Sequence, residues 1–440
     1  MQQTDKHRRA SVAVIGGGIS GLSCAWLLAQ GSDVTLYEAE PRLGGHSDTV
    51  AWQGAGVDNG FIVYNELTYP NLTALFAHLG VATRASDMSF AFSLDGGAFE
   101  YSGGNMRGLA AQPSNLLKPA YWKLLAEILR FFRQARADAD HEVGGSLGRY
   151  LDAGGYSEAF RQRYLYPMAA AIWSTPARDV AAHPAQAFLR FNRNHGLLDL
   201  TARPVWRTVV DGSRAYVAAI AAAIGPAATR LDNRVRAVTR SDDGVTVTDA
   251  AGEQRRFDDV VLAVHADDAL RLIEAPTAID RELLGAFAYQ DNVAVMHTDE
   301  RAMPRRRAAW ASWNYLAESG PGRRLPAVTY WMNRLQGLDQ LPDVFVTLNP
   351  GAALGDDHVI RRHTYRHPLF TQATLAAQKR LWSLQGQGGL WLCGAWFGAG
   401  FHEDGCQAGL AVAEAIGGVK RPWRVADESG RIFLPPAAGA

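Results

Sequence analysis

The sequence predicts an α/β protein in which a Rossmann-like parallel sheet is combined with an inserted α+β domain. Three apolar runs support this prediction. The run Ser11–Ile15 is typical of a buried parallel strand and leads directly into a glycine-rich turn. A similar run at residues 260–264 and a strand-like segment at residues 390–395 lie far along the chain. Strands of one sheet therefore come from separated stretches, and the residues between them are available for a second domain.

The composition fits a globular protein and argues against nucleic acid as a partner. The 440 residues are 48% hydrophobic and 10% aromatic, which is enough for two or three domain-sized cores. Lysine plus arginine and aspartate plus glutamate number 44 each, so no surplus of charge attracts phosphate backbones. The three cysteines, Cys24, Cys393 and Cys406, are too scattered for a disulfide framework, which indicates a reducing compartment.

We expect a soluble cytoplasmic protein or one that is peripheral to the inner membrane face. Residues 1–10 are polar and basic and leave no room for the apolar core of a signal peptide before the first strand. The apolar stretch 216–228 is too short to span a bilayer and is broken by Gly225 and Pro226.

The first strand is followed by a GxGxxG motif in the position that phosphate binding requires. Gly16 permits the tight turn, Gly18 lets the backbone approach a pyrophosphate, and Gly21 lets the next helix, about residues 19–30, pack on the strand. The helix begins at Ile19 and Ser20, and its free N–H groups and positive dipole end face the anion.

A second strand, Asp33–Tyr37, ends at Glu38, about twenty residues past the glycine motif, as in dinucleotide-binding folds. A carboxylate at this place accepts both hydroxyls of an adenosine ribose and repels a 2′-phosphate. The strands, glycines, helix and acid in this order predict a dinucleotide site. The alternative is a glycine-rich helix start that binds no ligand.

The stretch after Glu38 contains an Arg-x-Gly-Gly pattern, with the sequence Ala39-Glu40-Pro41-Arg42-Leu43-Gly44-Gly45-His46. This pattern resembles the second signature of the FAD-binding family that holds amine oxidases, protoporphyrinogen oxidases and phytoene desaturases. Arg42 can pair with phosphate as a planar cationic fork, and Gly44 and Gly45 let backbone pass the ribityl chain. The resemblance also places Ala39 and His46 beside FAD. The alternative for Arg42 is a solvated loop residue.

Later segments resemble the rest of the same flavin framework. Residues 57–62 match the stretch whose backbone passes the isoalloxazine ring, and residues 231–248 form an alternating hairpin that carries the adenine position. Near the end, a glycine turn precedes a helix, from about residue 404 to 416, whose N-terminus would face the pyrimidine edge of the flavin. The cofactor-binding positions that this resemblance implies are Gly60, Phe61, Ile62, Val235, Gly394, Ala395, Asp404, Gly405 and Gln407.

The resemblance implies a flavoprotein of the two-dinucleotide-binding-domain type, with a discontinuous Rossmann-like FAD domain. Residues 10–70, 207–280 and 381–420 are assigned to that domain, residues 71–206 and 281–380 to an α+β substrate cap, and residues 421–440 to a tail. FAD is expected to be non-covalent, because neither Cys393 nor Cys406 matches the family position for thioether attachment. His46 is the competing linkage candidate.

Four segments, residues 194–198, 296–299, 309–315 and 400–405, resemble one branch of the family more closely. This branch holds bacterial flavin-containing amine oxidases associated with cyclopropane fatty acid synthases. The resemblance implies a lipid or fatty acyl substrate and a functional link to a lipid methyltransferase. Ordinary amine oxidation is disfavoured, since the strand at residues 292–297 lacks the lysine typical of amine oxidases. The cage tyrosine is also replaced by Cys406, which weakens binding of an amine by ring faces.

The catalytic candidates are two polar pairs. His297 and Asp299 lie at strand spacing on one face and could act as an acid/base pair, although such residues are more often a hydrogen-bonded core pair. His402 and Glu403 lie in the flavin-facing loop, where helix capping by Asp404 is the alternative. His363 and His367 have metal-like spacing without an acidic or cysteine partner, so no metal is predicted.

The leading hypothesis is desaturation of a long acyl chain, with hydride transfer to flavin N5. An amine oxidase, a lipid oxygenase and a non-catalytic partner of a lipid methyltransferase remain as alternatives. A basic amphipathic helix at residues 116–136 is expected to contact anionic membranes weakly, unless its apolar face packs on the core. Its apolar positions are Leu124, Leu125, Ile128, Leu129 and Phe132, and its basic ones are Lys118, Lys123, Arg130, Arg133 and Arg136.

Overall fold

A computed structural model describes residues 9–173, 180–194, 196–198, 204–319, 326–350 and 354–435. Most of the polar start, His195 of the segment 194–198, and residues 436–440 of the tail lie outside the described residues.

The nucleotide domain is built on five parallel strands, as the apolar runs predict. In spatial order they are Thr229–Arg230, Asp33–Tyr37, Ser11–Ile15, Asp259–Leu262 and Leu390–Leu392. The central strands are buried on both faces, which explains why they are continuously apolar rather than alternating. Segments that are distant in sequence therefore form one sheet.

Two helices that pack against each other cover this sheet beside the glycine turn. Ile19–Leu28 follows the turn, and His402–Gly417 closes the domain. A Cβ atom at Gly409 would lie 2.2 Å from the Ser20 carbonyl oxygen, so the close approach of the helices requires glycine. The other helices that contribute to the core of this domain are Pro70–His78, Arg214–Ile224, Ala266–Leu272, Ala278–Leu284 and Gln372–Gln378.

The predicted hairpin is confirmed as part of an antiparallel sheet, and its contact with adenine stays a prediction. Val235–Ser241 pairs with Gly244–Asp249, and the turn lies where the Asp-Asp-Gly sequence predicts it. A third strand, Gln254–Phe257, which the sequence analysis did not identify, completes this sheet.

The cap is built on a seven-stranded sheet. In spatial order its strands are Val359–Leu369, Ala288–His297, Phe345–Leu348, Ala327–Trp331, Trp313–Ala317, Phe90–Leu94 and Phe99–Gly103. Neighbours are antiparallel, except that Trp313–Ala317 and Phe90–Leu94 are parallel. The cap helices are Met106–Leu109, Pro113–Leu116, Pro119–Asp138, Leu147–Ala153, Glu158–Phe160, Tyr166–Trp173, Ala185–Asn194 and Met332–Gln336.

Two small sheets lie between these units. One pairs Thr49–Trp52 with Ala55–Asp58. The other has Trp206–Val209 at its centre, between Tyr64–Asn65 and Thr83–Ala85. Both sheets are thus formed near the points where the chain leaves and re-enters the nucleotide domain.

The packing shifts the domain limits that the sequence suggests. Leu72, Leu75 and Phe76 belong to the nucleotide-domain core, although residues from 71 onward were assigned to the cap. The described part of the tail is also packed, because Ile432 is buried in that core and Arg421 is 6% exposed. No helix in the described parts of the chain is long and apolar enough to cross a membrane.

Candidate active site

A cavity of about 1580 Å³ extends from the glycine turn into the interior of the cap. Its first part is lined by Gly16, Gly18, Glu38 and Val235, which are predicted dinucleotide-binding residues. Its far part is lined mainly by apolar and aromatic side chains of the cap, among them Leu125, Ile128, Phe132, Met168, Ile172 and Trp313. One continuous space therefore joins the predicted cofactor site to an apolar compartment.

The glycine turn has the geometry that the motif predicts. Gly16 adopts φ +111°, and a Cβ atom there would lie 2.5 Å from the Ala263 carbonyl oxygen. A Cβ atom at Gly21 would lie 1.8 Å from the Gly16 carbonyl oxygen, so any side chain would displace backbone. At Gly18 no protein atom lies within 4 Å of that position, and the residue faces the cavity. No side chain caps the helix that begins at Ile19, so its N-terminus is available for an anion.

Glu38 lies at the adenosine end of this cavity. Its Oε2 accepts a hydrogen bond from the Gly17 N–H at 2.7 Å, and its Oε1 accepts one from the Glu40 N–H at 2.9 Å. Each carboxylate oxygen has a further lone pair for a ribose hydroxyl. Asn233 also lines this end, and its buried Oδ1 has no hydrogen-bond partner among the described residues.

Arg42 stabilises the Arg-x-Gly-Gly loop rather than remaining solvated. Its guanidinium donates to the Gly45 carbonyl at 3.1 Å and to the Ser47 carbonyl at 3.2 Å, and its Nε lies 3.5 Å from Asp48. These bonds hold the loop against the glycine turn, where a Cβ atom at Gly45 would lie 3.2 Å from the Gly18 Cα. Phosphate pairing by Arg42 stays a prediction.

The backbone at Gly60 passes directly beside this loop. A Cβ atom at Gly60 would lie 2.0 Å from the His46 carbonyl oxygen, which also accepts a hydrogen bond from the Phe61 N–H at 2.8 Å. Asn59 lines the cavity with a side chain that is 2% exposed. Neither its Oδ1 nor its Nδ2 has a hydrogen-bond partner among the described residues, which indicates a place for a polar ligand.

His402 is the one predicted catalytic residue that lines the cavity. Its ring stacks on Phe61 with centroids 3.6 Å apart, and its Nε2 lies 3.0 Å from the Ser47 Oγ and 3.2 Å from the Tyr216 hydroxyl. Burial lowers the pKa of His402 to about 3, so the ring is neutral at physiological pH.

Glu403, the neighbouring candidate, points away from the cavity. Its carboxylate is 0% exposed and accepts hydrogen bonds from the N–H groups of Asn71 and Leu72, the Asn71 amide and the Gln407 amide, all between 2.9 and 3.0 Å. It thus caps the helix Pro70–His78, whose own N-terminal residue provides no side-chain cap. The carboxylate is therefore used in packing two helices, which argues against the catalytic role predicted for Glu403.

Polar side chains of the closing helix also have packing roles, and the flavin contacts of Asp404, Gly405 and Gln407 stay predictions. Asp404 accepts hydrogen bonds from the Phe401 N–H at 2.7 Å and from Arg431 Nε at 2.6 Å, so helix capping is its observed role. Gly405 faces Ser20 of the first helix, and Gln407 bonds Glu403 and the Arg431 N–H. These three residues do not line the cavity, whereas Gly394 and Ala395 do.

His297 and Asp299 form a buried core network rather than an active site. His297 Nδ1 accepts a hydrogen bond from the Asp299 N–H at 3.1 Å, and its Nε2 lies 2.7 Å from the Thr347 hydroxyl. Asp299 is held by Arg301, whose hydrogen bonds lower the pKa of the carboxyl to about 2. Neither residue lines the cavity, so the arrangement is the hydrogen-bonded core pair that the sequence left as the alternative.

The burial of His297 predicts a measurable pH effect. Burial lowers its pKa to about 4 from 6.5, so the unfolded state takes up the proton first. Stability is lost as the pH falls below 6.5 and continues to be lost until about pH 4, by about 3 kcal/mol for this group. The wild type should therefore lose about 3 kcal/mol more stability between pH 6.5 and pH 4 than His297→Gln does. Denaturant unfolding at pH 6.5 and pH 4 measures the free energy of unfolding of the wild type, of His297→Gln and of a control, His358→Gln, which changes an exposed histidine. If this free energy decreased equally in all three proteins, the low pKa of His297 would be contradicted.

A cluster of four histidines was not predicted as a site. His46, His265, His363 and His367 line the cavity around Tyr365, although they are far apart in sequence. The His46 ring centroid lies 4.9 Å from Tyr365, 5.4 Å from His367 and 6.1 Å from His265. Burial lowers the pKa of each histidine, so the cluster is a neutral polar wall. The spacing of His363 and His367 on one strand was the only sequence signal for it.

The proton position on His367 follows from a chain of hydrogen bonds. The Val293 N–H donates to Asn349 Oδ1 at 2.8 Å, which leaves the Asn349 Nδ2 to donate to Asn292 Oδ1 at 2.9 Å. The Asn292 Nδ2 therefore donates to His367 Nδ1 at 3.0 Å. Because Nδ1 is the acceptor, the neutral ring carries its proton on Nε2 and has one N–H to offer in the cavity. Asn292 lies on the strand where the family resemblance leads one to expect lysine.

One group in the described residues has metal-like spacing, formed by His265, Asp267 and Asp268. Arg366 pairs with both carboxylates, and Arg271 does so as well. The negative charge is thus already balanced by two guanidinium groups.

Comparison with known proteins agrees with this geometry. The sequence model of the flavin-containing amine oxidoreductases matches residues 19–417. The chain belongs to this family. Similar solved structures include a putrescine oxidase redesigned in cofactor binding (15% identity, TM-score 0.65, 92% of this chain and 98% of that chain) and a fatty acid isomerase from P. acnes that produces CLA (16%, 0.64, 92% and 98%). Cyclohexylamine oxidase from Brevibacterium oxydans IH-35A is also similar (17%, 0.63, 93% and 99%). No curated protein matches the sequence.

The family membership identifies the enzyme as an FAD-dependent oxidoreductase. The cavity fits FAD on three observations: the open position at Gly18, the uncapped helix start at Ile19 and the unpaired amide of Asn59. The TM-scores show that these neighbours share the fold, which is the mixed α/β flavoprotein fold with a cap. At such low identities the likeness extends to the fold alone. They do not define the substrate of this enzyme.

Proposed function

We propose that this enzyme oxidises the acyl chain of a lipid, introducing a double bond. The observation that carries the proposal is the apolar compartment that continues from the cofactor part of the cavity. Helix Pro119–Asp138 contributes Leu125, Ile128, Leu129 and Phe132 to its wall. An extended hydrocarbon can lose its contact with water along such a wall, which favours long chains over small polar amines.

The polar part of the cavity also disfavours an amine as substrate. None of the lysines in the described parts of the chain lines the cavity. Among the lining carboxylates, Asp87 is paired with Arg334, and Asp268 with Arg271 and Arg366, so they are not free to hold an ammonium group. The histidine cluster is neutral and offers hydrogen bonds without charge.

When bound, FAD would accept the hydride that leaves one carbon of the acyl chain, and this hydride carries both electrons. The proton that leaves the neighbouring carbon would pass to a neutral histidine of the cavity wall or to water. The chain's own residues then exclude water and orient the substrate. The Nε2–H of His367, fixed by Asn292, can donate to a carbonyl oxygen of the lipid. The stacked rings of Phe61 and His402 form part of the wall between the cofactor end and the cap. The resemblance to the branch associated with cyclopropane fatty acid synthases supports a membrane lipid as substrate and a link to a lipid methyltransferase.

Anaerobic mixing tests the reaction. Bleaching of the flavin absorbance by a phospholipid or long-chain acyl compound, with an olefinic product, is the expected result. Bleaching by amines alone would contradict the proposal and favour an amine oxidase. Oxygen-dependent hydroxylation of the lipid would favour an oxygenase, and the absence of any bleaching would favour a non-catalytic partner of a methyltransferase.

A cavity-filling variant tests the position of the acyl chain. Ile128→Trp places a large side chain in the apolar compartment, so we expect normal FAD content with a tenfold or greater loss of kcat/KM for long-chain substrates, which is about 1.4 kcal/mol. Short-chain analogues should be affected less. Val210→Trp is the matched control, because Val210 is exposed and does not line the cavity. Equal losses for long and short chains would place the acyl chain elsewhere.

We also predict that FAD is held without a covalent bond. All three cysteines are buried and none of them lines the cavity, so no thiol is placed for thioether attachment. His46 is the remaining linkage candidate, since it lines the cavity. Precipitation of the protein with hot acid should release the yellow colour into the supernatant. A yellow pellet from wild type that becomes colourless in His46→Gln would show a histidyl linkage instead.

A further inference from the structure

The cap carries an exposed surface that is both apolar and basic, on residues 106–136. Its exposed apolar side chains are Met106, Leu116, Leu117, Trp122 and Leu129. Five of the eleven exposed large hydrophobic residues in the described parts of the chain therefore fall in one short segment. Leu117 is 86% exposed and Trp122 is 54% exposed, which is unusual for side chains of this size.

The charges on this surface have one sign, although the whole chain has a net charge of zero. Its exposed basic residues are Arg107, Lys118, Lys123, Arg130, Arg133 and Arg136. The single acidic residue in the segment, Glu127, is buried and bonds Ser157. We call residues 106–136, with these apolar and basic side chains, the basic apolar face.

This face contributes Leu129 to the cavity wall, where the residue is 46% exposed. Val205, which lies outside this face, also lines the cavity and is 60% exposed. Leu125, Ile128 and Phe132 continue the wall inward from Leu129 on the same helix. The inner side of this helix thus packs in the cap, as the alternative in the sequence analysis stated, while its outer side and the preceding turn remain exposed.

We propose that the basic apolar face docks on an anionic lipid surface and that acyl chains enter the cavity past Leu129, which belongs both to this face and to the cavity wall. The exposed leucines and Trp122 insert among the lipid headgroups, and the lysines pair with lipid phosphates. Trp122 is suited to this position, because its ring is apolar and its N–H is satisfied by the Leu116 carbonyl at 2.8 Å. The acyl chain then passes from bilayer to enzyme without crossing bulk water. This inference rests on the proposed function and identifies the source of its substrate.

The charge variant must avoid basic residues that hold the cap together. Arg130 donates to the Gly154 carbonyl at 2.9 Å and stacks on Tyr156 at 4.1 Å, so reversing its charge would disturb packing. Lys118 and Lys123 are exposed, and the contact that Lys118 makes is a local one with Asn115. Lys118→Glu with Lys123→Glu is therefore the variant of choice. Lys379→Glu with Lys420→Glu changes the net charge equally on exposed lysines outside this face.

Co-sedimentation of the FAD-loaded enzyme with vesicles tests the proposal in the absence of any turnover. We expect binding to vesicles of phosphatidylglycerol and phosphatidylcholine that weakens with salt, and little binding to phosphatidylcholine alone. Lys118→Glu with Lys123→Glu should weaken binding about tenfold or more, as should Leu117→Ser with Trp122→Ser, whereas the Lys379/Lys420 control should bind like wild type.

Binding that is equal in the face variants and the control would overturn the proposal, and so would the absence of vesicle binding by the wild type. Unchanged FAD content and melting temperature exclude misfolding as the cause of a loss. Vesicle binding without flavin bleaching by lipids would leave this face as a membrane contact and overturn only the oxidation reaction. Bleaching of the flavin by detergent-dispersed lipid without vesicle binding would support the oxidation reaction and overturn only the membrane contact.

Discussion

Replacing Gly18 by valine should yield a folded protein that does not retain FAD. A Cβ atom at Gly18 meets no protein atom within 4 Å, and the residue has φ −74° and ψ 179°, a conformation that valine adopts readily. The new side chain would extend into the cavity at the helix start, where the pyrophosphate must approach the backbone. We expect at least a hundredfold loss of FAD affinity, or about 2.7 kcal/mol, with the melting temperature of the FAD-free protein unchanged.

Gly21→Val is the matched comparison for this prediction. Its Cβ atom would lie 1.8 Å from the Gly16 carbonyl oxygen, so this variant should fail to fold. Flavin absorbance after gel filtration and circular dichroism of both variants distinguish loss of cofactor from loss of fold. A yellow Gly18→Val protein would show that the pyrophosphate lies elsewhere in the cavity.

Replacing Glu403 by alanine should destabilise the protein without impairing the chemistry of the molecules that remain folded. The change leaves two backbone N–H groups and two side-chain amides without their acceptor in a buried place. Unpaired buried donors cost about 1–3 kcal/mol each and do not add fully, so we expect a loss of about 3–5 kcal/mol. For a chain of 440 residues the melting temperature should fall by roughly 3–5 °C.

Two variants bracket this effect. Glu403→Gln keeps one acceptor oxygen and should lose about half as much stability as Glu403→Ala. Glu428→Ala removes an exposed carboxylate from the packed tail and should change stability by less than about 0.5 kcal/mol. Thermal unfolding, monitored by circular dichroism, ranks the stabilities of the three variants. If Glu403→Ala instead kept its melting temperature and lost flavin reduction, Glu403 would be catalytic after all.

The different surroundings of three neighbouring side chains in the closing loop have one physical cause. His402, Glu403 and Asp404 are consecutive residues at a helix start, where side chains point in different directions around the helix axis. His402 faces the cavity, Glu403 faces the helix Pro70–His78, and Asp404 faces Arg431. The sequence shows that a polar cluster exists but not which neighbour each side chain meets, because those neighbours belong to other elements, 27 residues away for Asp404 and 331 for Glu403.

The sequence by itself determined the parts of this protein that depend on local backbone geometry. The turn at Gly16, the close packing at Gly21 and the acid at Glu38 follow from short-range requirements of a strand, a turn and a helix. Only the tertiary structure decided which residues share a cavity, since the histidine cluster joins the cap strand Val359–Leu369 to His265 and to the loop at His46. Such contacts depend on how separate elements pack, and single-sequence patterns carry no distance between elements.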